Sequence, residues 1–579
     1  MPQTPKDLVA LTGIPNPAGS GRPRGRMRPR GRAVDPTALG QVRDVLGGGR
    51  PDRRHLIDYL HAIQDRYGHL AARHLCALAA ELNLSQAEVY EVATFYSQFI
   101  VVADGAPPPP AVAVRVCDGL ACALKGAARL LAECTEALGD EALVLRAPCM
   151  GRCDCAPVAS VGKRHVEHAS VESLRATIAR REFDPITPPY TDFDAYVADG
   201  GYRVLRACLA GEHTRGAVIQ TLSDARLRGL GGAGYPAGKK WSSVHALPRP
   251  KMVVVNFDES EMGTFKDRYF VERDPHRLIE GTLVAAWACE AYQTYIYLRD
   301  EYHHIRAILE RELARADAAG LTRHTRVFLS RGAGAYVCGE RSAMLESIEG
   351  KRGYPRLKDP RTTIVGLFGI PTLIHNAETL FWVRDIVERG PDWFVRQGRN
   401  GRPCPRAFSV SGRVTHPGVK LAQAGITMNQ LLAEYCGGME DGHAFKGYCL
   451  GGSAGGILPA SLADIPLDFD TLEQYGCAIG SAAITVFSDR DSIRDVVLNL
   501  MRFFEDESCG QCTPCRVGTE KAVQLIEQDR WDEALLTDLC DVMADASICG
   551  LGTSAPAPIR SALRYFRREL GLGDPGSSA

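Results

Sequence analysis

Apolar residues recur at helical spacing through the first hundred residues of the chain. In the stretch 55–64, Leu56, Leu60 and Ile63 fall on one face of a helix. Residues 84–88 read as a helix start, with Ser85 as N-cap and Glu88 closing a capping box. The period then shortens. Residues 111–116 alternate like a strand, 121–138 read as helix, and 142–145 and 157–161 supply further strands. Between about 200 and 405, apolar strands such as 252–256 alternate with helical stretches, the pattern of a largely parallel sheet with covering helices. Residues 407–412 open a smaller unit of short strands, with a helix near 428–435 and a glycine-rich turn at 451–456. From Ile493 onward the pattern is helical. No internal repeat is visible.

The expected class is therefore a multidomain α/β protein. Its expected divisions are a disordered arginine-rich arm (1–34), N-terminal helices (35–110), a small α/β domain (111–185), a large α/β domain (200–405), a small β-rich domain (406–490) and a C-terminal helical domain (491–572). Proline-rich residues 107–110 and the stretch 182–192 read as linkers. In the arm, arginine alternates with Gly, Pro and Met from Arg22 to Arg32, which cannot build a core and reads as a solvated segment.

Composition removes several classes of function. With 579 residues and a formal charge of -1, the chain has no bulk electrostatic case for nucleic acid or a membrane surface. No apolar run reaches the length of a membrane span, and no secretory signal is visible. Nineteen cysteines without an export signal point to thiols or metal ligands in a reducing compartment, hence a cytoplasmic protein. Cys76, Cys208, Cys289 and Cys338 lie in apolar surroundings and read as packing residues.

Two cysteine sets carry the strongest chemical signal. Cys509, Cys512 and Cys515 lie two residues apart, with Cys549 further on. Four thiolates fit either a [4Fe–4S] cluster or zinc, and three close ligands plus one remote are more like the cubane cluster. Cys117, Cys122, Cys149 and Cys153 form a second set suited to a [2Fe–2S] cluster, with zinc as the alternative and Cys155 as a bystander. The stretch 228–241 holds five glycines between Gly229 and Gly238, followed by Lys239 and Lys240. Such a loop can bring backbone N–H groups close to a phosphate, or serve only as a turn. Asn256, Asp258, Glu259 and Glu261 follow a hydrophobic strand, where α/β folds bind ligands; an acidic helix cap is the plainer reading. Tyr336 sits between glycines at 332–339, as a stacking surface or a packing anchor.

These motifs together resemble a known family. Gly-Gly-Ala-Gly-Tyr-Pro at 231–236, Asn-x-Asp-Glu-Ser-Glu at 256–261, Gly-Ala-Tyr-Val-Cys-Gly-Glu at 334–340 and Glu-Ser-Cys-Gly-Gln-Cys-Thr-Pro-Cys-Arg at 507–516 are similar to the flavoprotein subunit of respiratory NADH dehydrogenase. Residues 36–185, with Ala-Thr-Phe-Tyr at 93–96, resemble the thioredoxin-like [2Fe–2S] subunit of the same complexes. The fusion of both in one chain looks like the β subunit of two-subunit formate dehydrogenases that reduce NAD; the diaphorase subunit of NAD-reducing hydrogenase is the runner-up. A zinc-stabilised scaffold without redox activity is the reading from another class.

The resemblance implies a thioredoxin-like [2Fe–2S] domain, an FMN/NAD(P)-binding domain, a β-grasp domain and a helical bundle with the [4Fe–4S] site. It implies FMN beside Gly229, Gly231, Lys240, Asn256, Asp258, Glu259, Gly339, Glu340, His375 and Asn376. Tyr235, Glu261, Tyr336 and Lys358 would face NAD(H) or NADP(H). The implied partner is a large catalytic subunit with a molybdenum or tungsten pterin and further iron–sulfur clusters. No side chain is assigned as a proton-transfer catalyst. The sequence departs from the family at Arg341, where a second glutamate is usual, and at Arg361, where an aromatic is usual. Ser243 and His375 also depart. Arginine in place of an acid that holds a ribose 2′-hydroxyl is the change expected for accepting a 2′-phosphate.

Overall fold

The computed structural model describes residues 31–573 except 48 and 50. The arginine-rich arm lies outside the described residues up to position 30, as does the tail from 574.

At the centre is a four-stranded parallel sheet in the order Thr372–Asn376, Lys251–Phe257, Ala291–Leu298, Arg326–Arg331. Alternate residues of its strands feed two different cores, as the two-residue strand period requires. Val253, Val255, Ile296 and Leu373 belong to one core, with the helices Arg203–Ala210 and Pro275–Cys289. Met252, Val254, Tyr297 and Ile374 belong to the other, which includes the N-terminal helices Leu56–Tyr67 and Ala72–Leu82. The N-terminal helices are thus part of the central body. His61 Nε2 bonds the Gly332 carbonyl at 2.8 Å, and Tyr96 Oη donates to Lys351 O at 2.7 Å.

Leu56, Leu60 and Ile63 are buried together, and Ser85 and Glu88 form the expected capping box. The small α/β unit has the sheet order Leu143–Ala147, Ala113–Cys117, Ala159–Val161, Arg164–Val166. The first pair is parallel and the rest antiparallel. The helix expected over 121–138 is two helices, Leu120–Leu124 and Ala127–Leu138, because Gly126 between them takes φ 87°. Residues 405–488 form a mixed five-stranded sheet with the helix Met428–Tyr435, a β-grasp arrangement. The helices Ile493–Asp506, Thr513–Ile526, Glu533–Ala546 and Pro556–Tyr565 close the chain. Among the described residues, no helix is long and apolar enough to cross a membrane.

Candidate functional site

Asn256 and Asn376 pair across the carboxyl ends of neighbouring parallel strands. Ligands bind at this edge in open α/β sheets. Here the edge opens into a cavity of about 420 Å³ lined by Gly231, Asn256, Asp258, Glu259, Glu261, Tyr336, Gly339, Glu340 and Asn376. Asn256 Nδ2 donates to Gly339 O at 2.9 Å, which ties the strand end to the second glycine turn. Asn376 caps the helix Ala377–Phe381, and Glu340 caps Arg341–Ile348, accepting from Ser342 N at 2.8 Å and Ala343 N at 2.9 Å. Glu259 accepts from the backbone of Asp267 at 2.7 Å and of Arg268 at 3.0 Å, so it caps Lys266–Val271 while facing the cavity. Gly231 has no room for a side chain: a Cβ there would lie 2.9 Å from Asn376 Cβ.

Buried acids dominate the cavity wall. Burial pushes Asp258 up to about 7, although the Ser260 hydroxyl donates to it. Burial also raises Glu261, against donors from Ser453 and from Tyr336 Oη. Opposite them Lys266, 1% exposed, pairs with Asp267 at 2.8 Å and Glu378 at 2.9 Å.

Not every residue singled out from the sequence reaches this cavity. Gly229 is one step behind the lining turn, bonded through its N–H to Tyr235 O at 2.8 Å. Lys240 reaches Ile374 O at 3.1 Å, and burial with the nearby Arg341 charge lowers it to about 8. His375 is buried against Trp241 on the helix Ala237–His245, and neither ring nitrogen has a hydrogen-bond partner among the described residues. Burial and Lys240 hold its imidazole well below the ordinary histidine value. Tyr235, Arg341, Lys358 and Arg361 are exposed and do not line the cavity. Arg341, Lys358 and Arg361 have no ion-pair partner among the described residues. Arg341 is therefore not held by a local acid among the described residues.

Conversely, distant segments complete the wall. Gly451, Ala454 and Gly455 come from the glycine-rich turn of the β-grasp unit, and Gly480 and Ser481 from its last loop. The turn is pressed so close that a Cβ on Gly452 would sit 2.4 Å from Glu261 Oε1. Gly550, Leu551 and Ser554 come from the short helix directly after Cys549.

The two thiol sets lie on two sides of this cavity. Cys117, Cys122, Cys149 and Cys153 are all buried, with the Cys149 and Cys153 sulfurs 3.2 Å apart. Hydrogen bonds from the Cys117 and Cys153 thiols hold Cys149 well below the ordinary thiol value, helped by the Gly263 N–H. Cys155 stands aside, part-exposed, with its thiol pushed up to about 12 by burial. The segment 258–263 is therefore two-sided: Asp258 and Glu261 face the cavity, and the Gly263 amide touches the first thiol set. Cys509, Cys512, Cys515 and Cys549 converge at the start of Thr513–Ile526, and the chain after Cys549 enters the cavity wall. Tyr336 links the two regions: its N–H donates to Glu507 at 2.8 Å and its ring packs on Phe503 at 4.9 Å.

Family models match three parts of the chain: a thioredoxin-like [2Fe-2S] ferredoxin over 44–182, a Nuo51 FMN-binding domain over 222–385 and an NADH-ubiquinone oxidoreductase-F iron-sulfur binding region over 495–572. The second F-type chain of NADH-quinone oxidoreductase in Rhizobium meliloti (strain 1021) is 41% identical over 392 residues, 65% of this chain and 92% of that protein. The F-type chain of the same enzyme in Mycobacterium bovis (strain ATCC BAA-935 / AF2122/97) is 37% identical over 415 residues, 68% of this chain and 93% of that protein. Among solved structures, an NAD+-reducing [NiFe]-hydrogenase in the H2-reduced state superposes with a TM-score of 0.79 at 29% identity. The match covers 91% of this chain and 95% of the hydrogenase chain.

Proposed function

The chain belongs to the family of F-type chains of NADH-quinone oxidoreductase, and from that premise we propose that it is the diaphorase subunit of a formate dehydrogenase complex, passing electrons between iron–sulfur clusters and NAD(P) through FMN. At a coarser level, the chain is an FMN- and iron–sulfur-dependent, NAD-linked electron-transfer subunit. The observation that supports the reading best is one cavity flanked by two sets of four thiols.

The residues present fit the implied groups. The cavity has glycine backbone on two sides, at 231–232 and 451–455, packed so closely on its wall that a Cβ at Gly231 would meet Asn376 and one at Gly452 would meet Glu261. Cys117, Cys122, Cys149 and Cys153 would hold a [2Fe–2S] cluster, and Cys509, Cys512, Cys515 and Cys549 a [4Fe–4S] cluster. When bound, a flavin supplies the exchange between a two-electron hydride and single electrons.

The chain's own residues bind and position. Gly231, Asn256, Asp258, Glu259, Gly339, Glu340 and Asn376 are the proposed flavin contacts at the cavity. For Gly229, Lys240 and His375 the proposed role is indirect: each holds the turn, helix or strand that carries a lining residue. Tyr336 and Glu261, bonded to each other, form the inner wall of the nucleotide side. Tyr235, Lys358, Arg341 and Arg361 are its outer, exposed contacts. With free cations in place of an acid and an aromatic, we assign Arg341 and Arg361 to a 2′-phosphate, so that NADP(H) is accepted beside NAD(H).

The proposed partner is a large subunit with a molybdenum or tungsten pterin and iron–sulfur clusters, since no pterin-binding unit stands among the matched parts. The proposed location is the cytoplasm. A second reading, the diaphorase subunit of an NAD-reducing hydrogenase, is favoured by the likeness over 91% of the chain to a chain of such a hydrogenase. Co-purification with the native partner separates the two. Formate-dependent reduction of NAD supports the first; hydrogen-dependent reduction without formate activity overturns it in favour of the second.

A further inference from the structure

A cavity of about 850 Å³, larger than the one at the sheet edge, lies behind the glycine loop and, apart from Ser243, contains none of the flavin, nucleotide or cluster residues named above. Its size falls in the range of small-molecule sites. The floor is apolar, with Leu227, Leu230 and Phe394 all buried. The rim is cationic: Arg226, Arg228, Lys239, Arg402 and Arg406 line it against a single carboxylate, Asp468. Asp468 is already engaged by Arg402 at 2.7 Å and Arg406 at 3.0 Å. Arg226 and Lys239 have no ion-pair partner among the described residues.

Arg406 carries the argument furthest. It is 5% exposed, it lines the cavity, and its Nε has no hydrogen-bond partner among the described residues. A buried guanidinium N–H without an acceptor is costly and calls for one. Arg406 and Arg228 also stack on one ring, Phe469, at 4.0 and 4.5 Å from its centroid. We propose that this cavity binds a nucleoside phosphate, its phosphates taken by Arg406, Arg226 and Lys239 and its base by the apolar floor. Phosphate oxygens match guanidinium forks in both charge and geometry.

The site is wired to the flavin loop. Arg228 Nε donates to Gly234 O, and its Nη1 pairs with Asp470. The Phe469 ring presses on Gly234 so closely that a Cβ there would lie 2.7 Å from Cδ1. Gly231 and Gly232, three and two residues earlier, face the other cavity. A polyanion that draws Arg228 from Asp470 or moves Phe469 changes the turn whose far side lines the site of the proposed reaction. The ligand is thus an effector of that reaction, and this half of the inference rests on the proposed function.

The test uses the purified holoprotein with NAD+ present in excess, so that adenine nucleotides cannot report on the nucleotide site. ATP, pyrophosphate and adenosine are titrated by calorimetry, and NADH oxidation by ferricyanide is followed with and without ATP. The expected result is saturable ATP binding, weaker pyrophosphate binding and no adenosine binding. Arg226→Gln/Lys239→Gln, two exposed positions, should weaken ATP about tenfold or more while leaving the KM for NADH unchanged. ATP should shift kcat or KM of the wild type and not of the variant. Absence of ATP binding, its loss to rising NAD+, or equal binding by the variant would overturn the site. Variant-sensitive ATP binding with no kinetic change would overturn the effector role alone, and neither result bears on whether the chain is a diaphorase.

Discussion

Arg341→Ala separates a nucleotide contact from an idle surface charge. Arg341 is the first residue of the helix Arg341–Ile348, directly after its N-cap Glu340. A cation there opposes the helix dipole and costs about 0.3–1 kcal/mol. Arg341 makes no ion pair among the described residues, although the Glu340 carboxylate caps the same helix end. If Arg341 makes charge-assisted hydrogen bonds to a 2′-phosphate, removing it loses roughly 1.5–3 kcal/mol with NADPH. That is a fall of about 10- to 150-fold in kcat/KM, while NADH, which lacks the phosphate, changes by less than about threefold. Fold stability should stay level or rise, because the dipole conflict is gone. Steady-state kinetics with both nucleotides and an artificial acceptor, with thermal melts alongside, give all three readouts. The reasoning is refuted if the wild type does not oxidise NADPH, or if Arg341→Ala lowers both nucleotides equally.

Three other perturbations follow from the site. Lys266→Met strands two buried carboxylates, Asp267 and Glu378, and should cost about 3–5 kcal/mol. Burial already holds the Glu378 carboxyl above the ordinary value, and without Lys266 it binds its proton more tightly folded than unfolded, so stability falls as pH rises and the deficit should shrink as pH is lowered; melts at neutral and acid pH check the sign. Gly452→Ala, at φ +76° with its Cβ 2.4 Å from Glu261 Oε1, should force the β-grasp turn off the cavity wall at about 1–3 kcal/mol. Its flavin-to-protein ratio after gel filtration should drop; full occupancy would count against the assignment of that cavity. Cys153→Ser should abolish the [2Fe–2S] electron paramagnetic resonance signal while Cys155→Ser keeps it, and the reverse outcome would exchange the two as ligand and bystander.

The sequence was most informative where chemistry depends on short spacing. The thiols at 509, 512 and 515 and the capping pair Ser85–Glu88 are local features, and their geometry follows from a few consecutive residues. What could not be read was the assembly of one wall from segments far apart in the chain. Glu261 meets Ser453, and the residues after Cys549 meet the carboxyl edge of strand Lys251–Phe257; no periodicity encodes such contacts. The glycine-rich turn at 451–456 was visible as a turn but gave no sign of what it would press against. His375 is the instructive case. It lies next to Asn376, yet strand alternation sends its ring to the opposite side, against Trp241. In the same way, Leu56, Leu60 and Ile63 announce a buried helix face without announcing that its partner is the central sheet.

The central claim, one cavity serving a flavin between two iron–sulfur sites, is tested most directly by anaerobic titration of the purified chain with NADH. Flavin and metal analysis and low-temperature electron paramagnetic resonance would be run on the same sample. The account predicts a coloured protein with about one flavin and about six iron atoms per chain, reduced by NADH to give two distinct iron–sulfur signals. A colourless protein with zinc at both thiol sets and no reaction with NADH would contradict it.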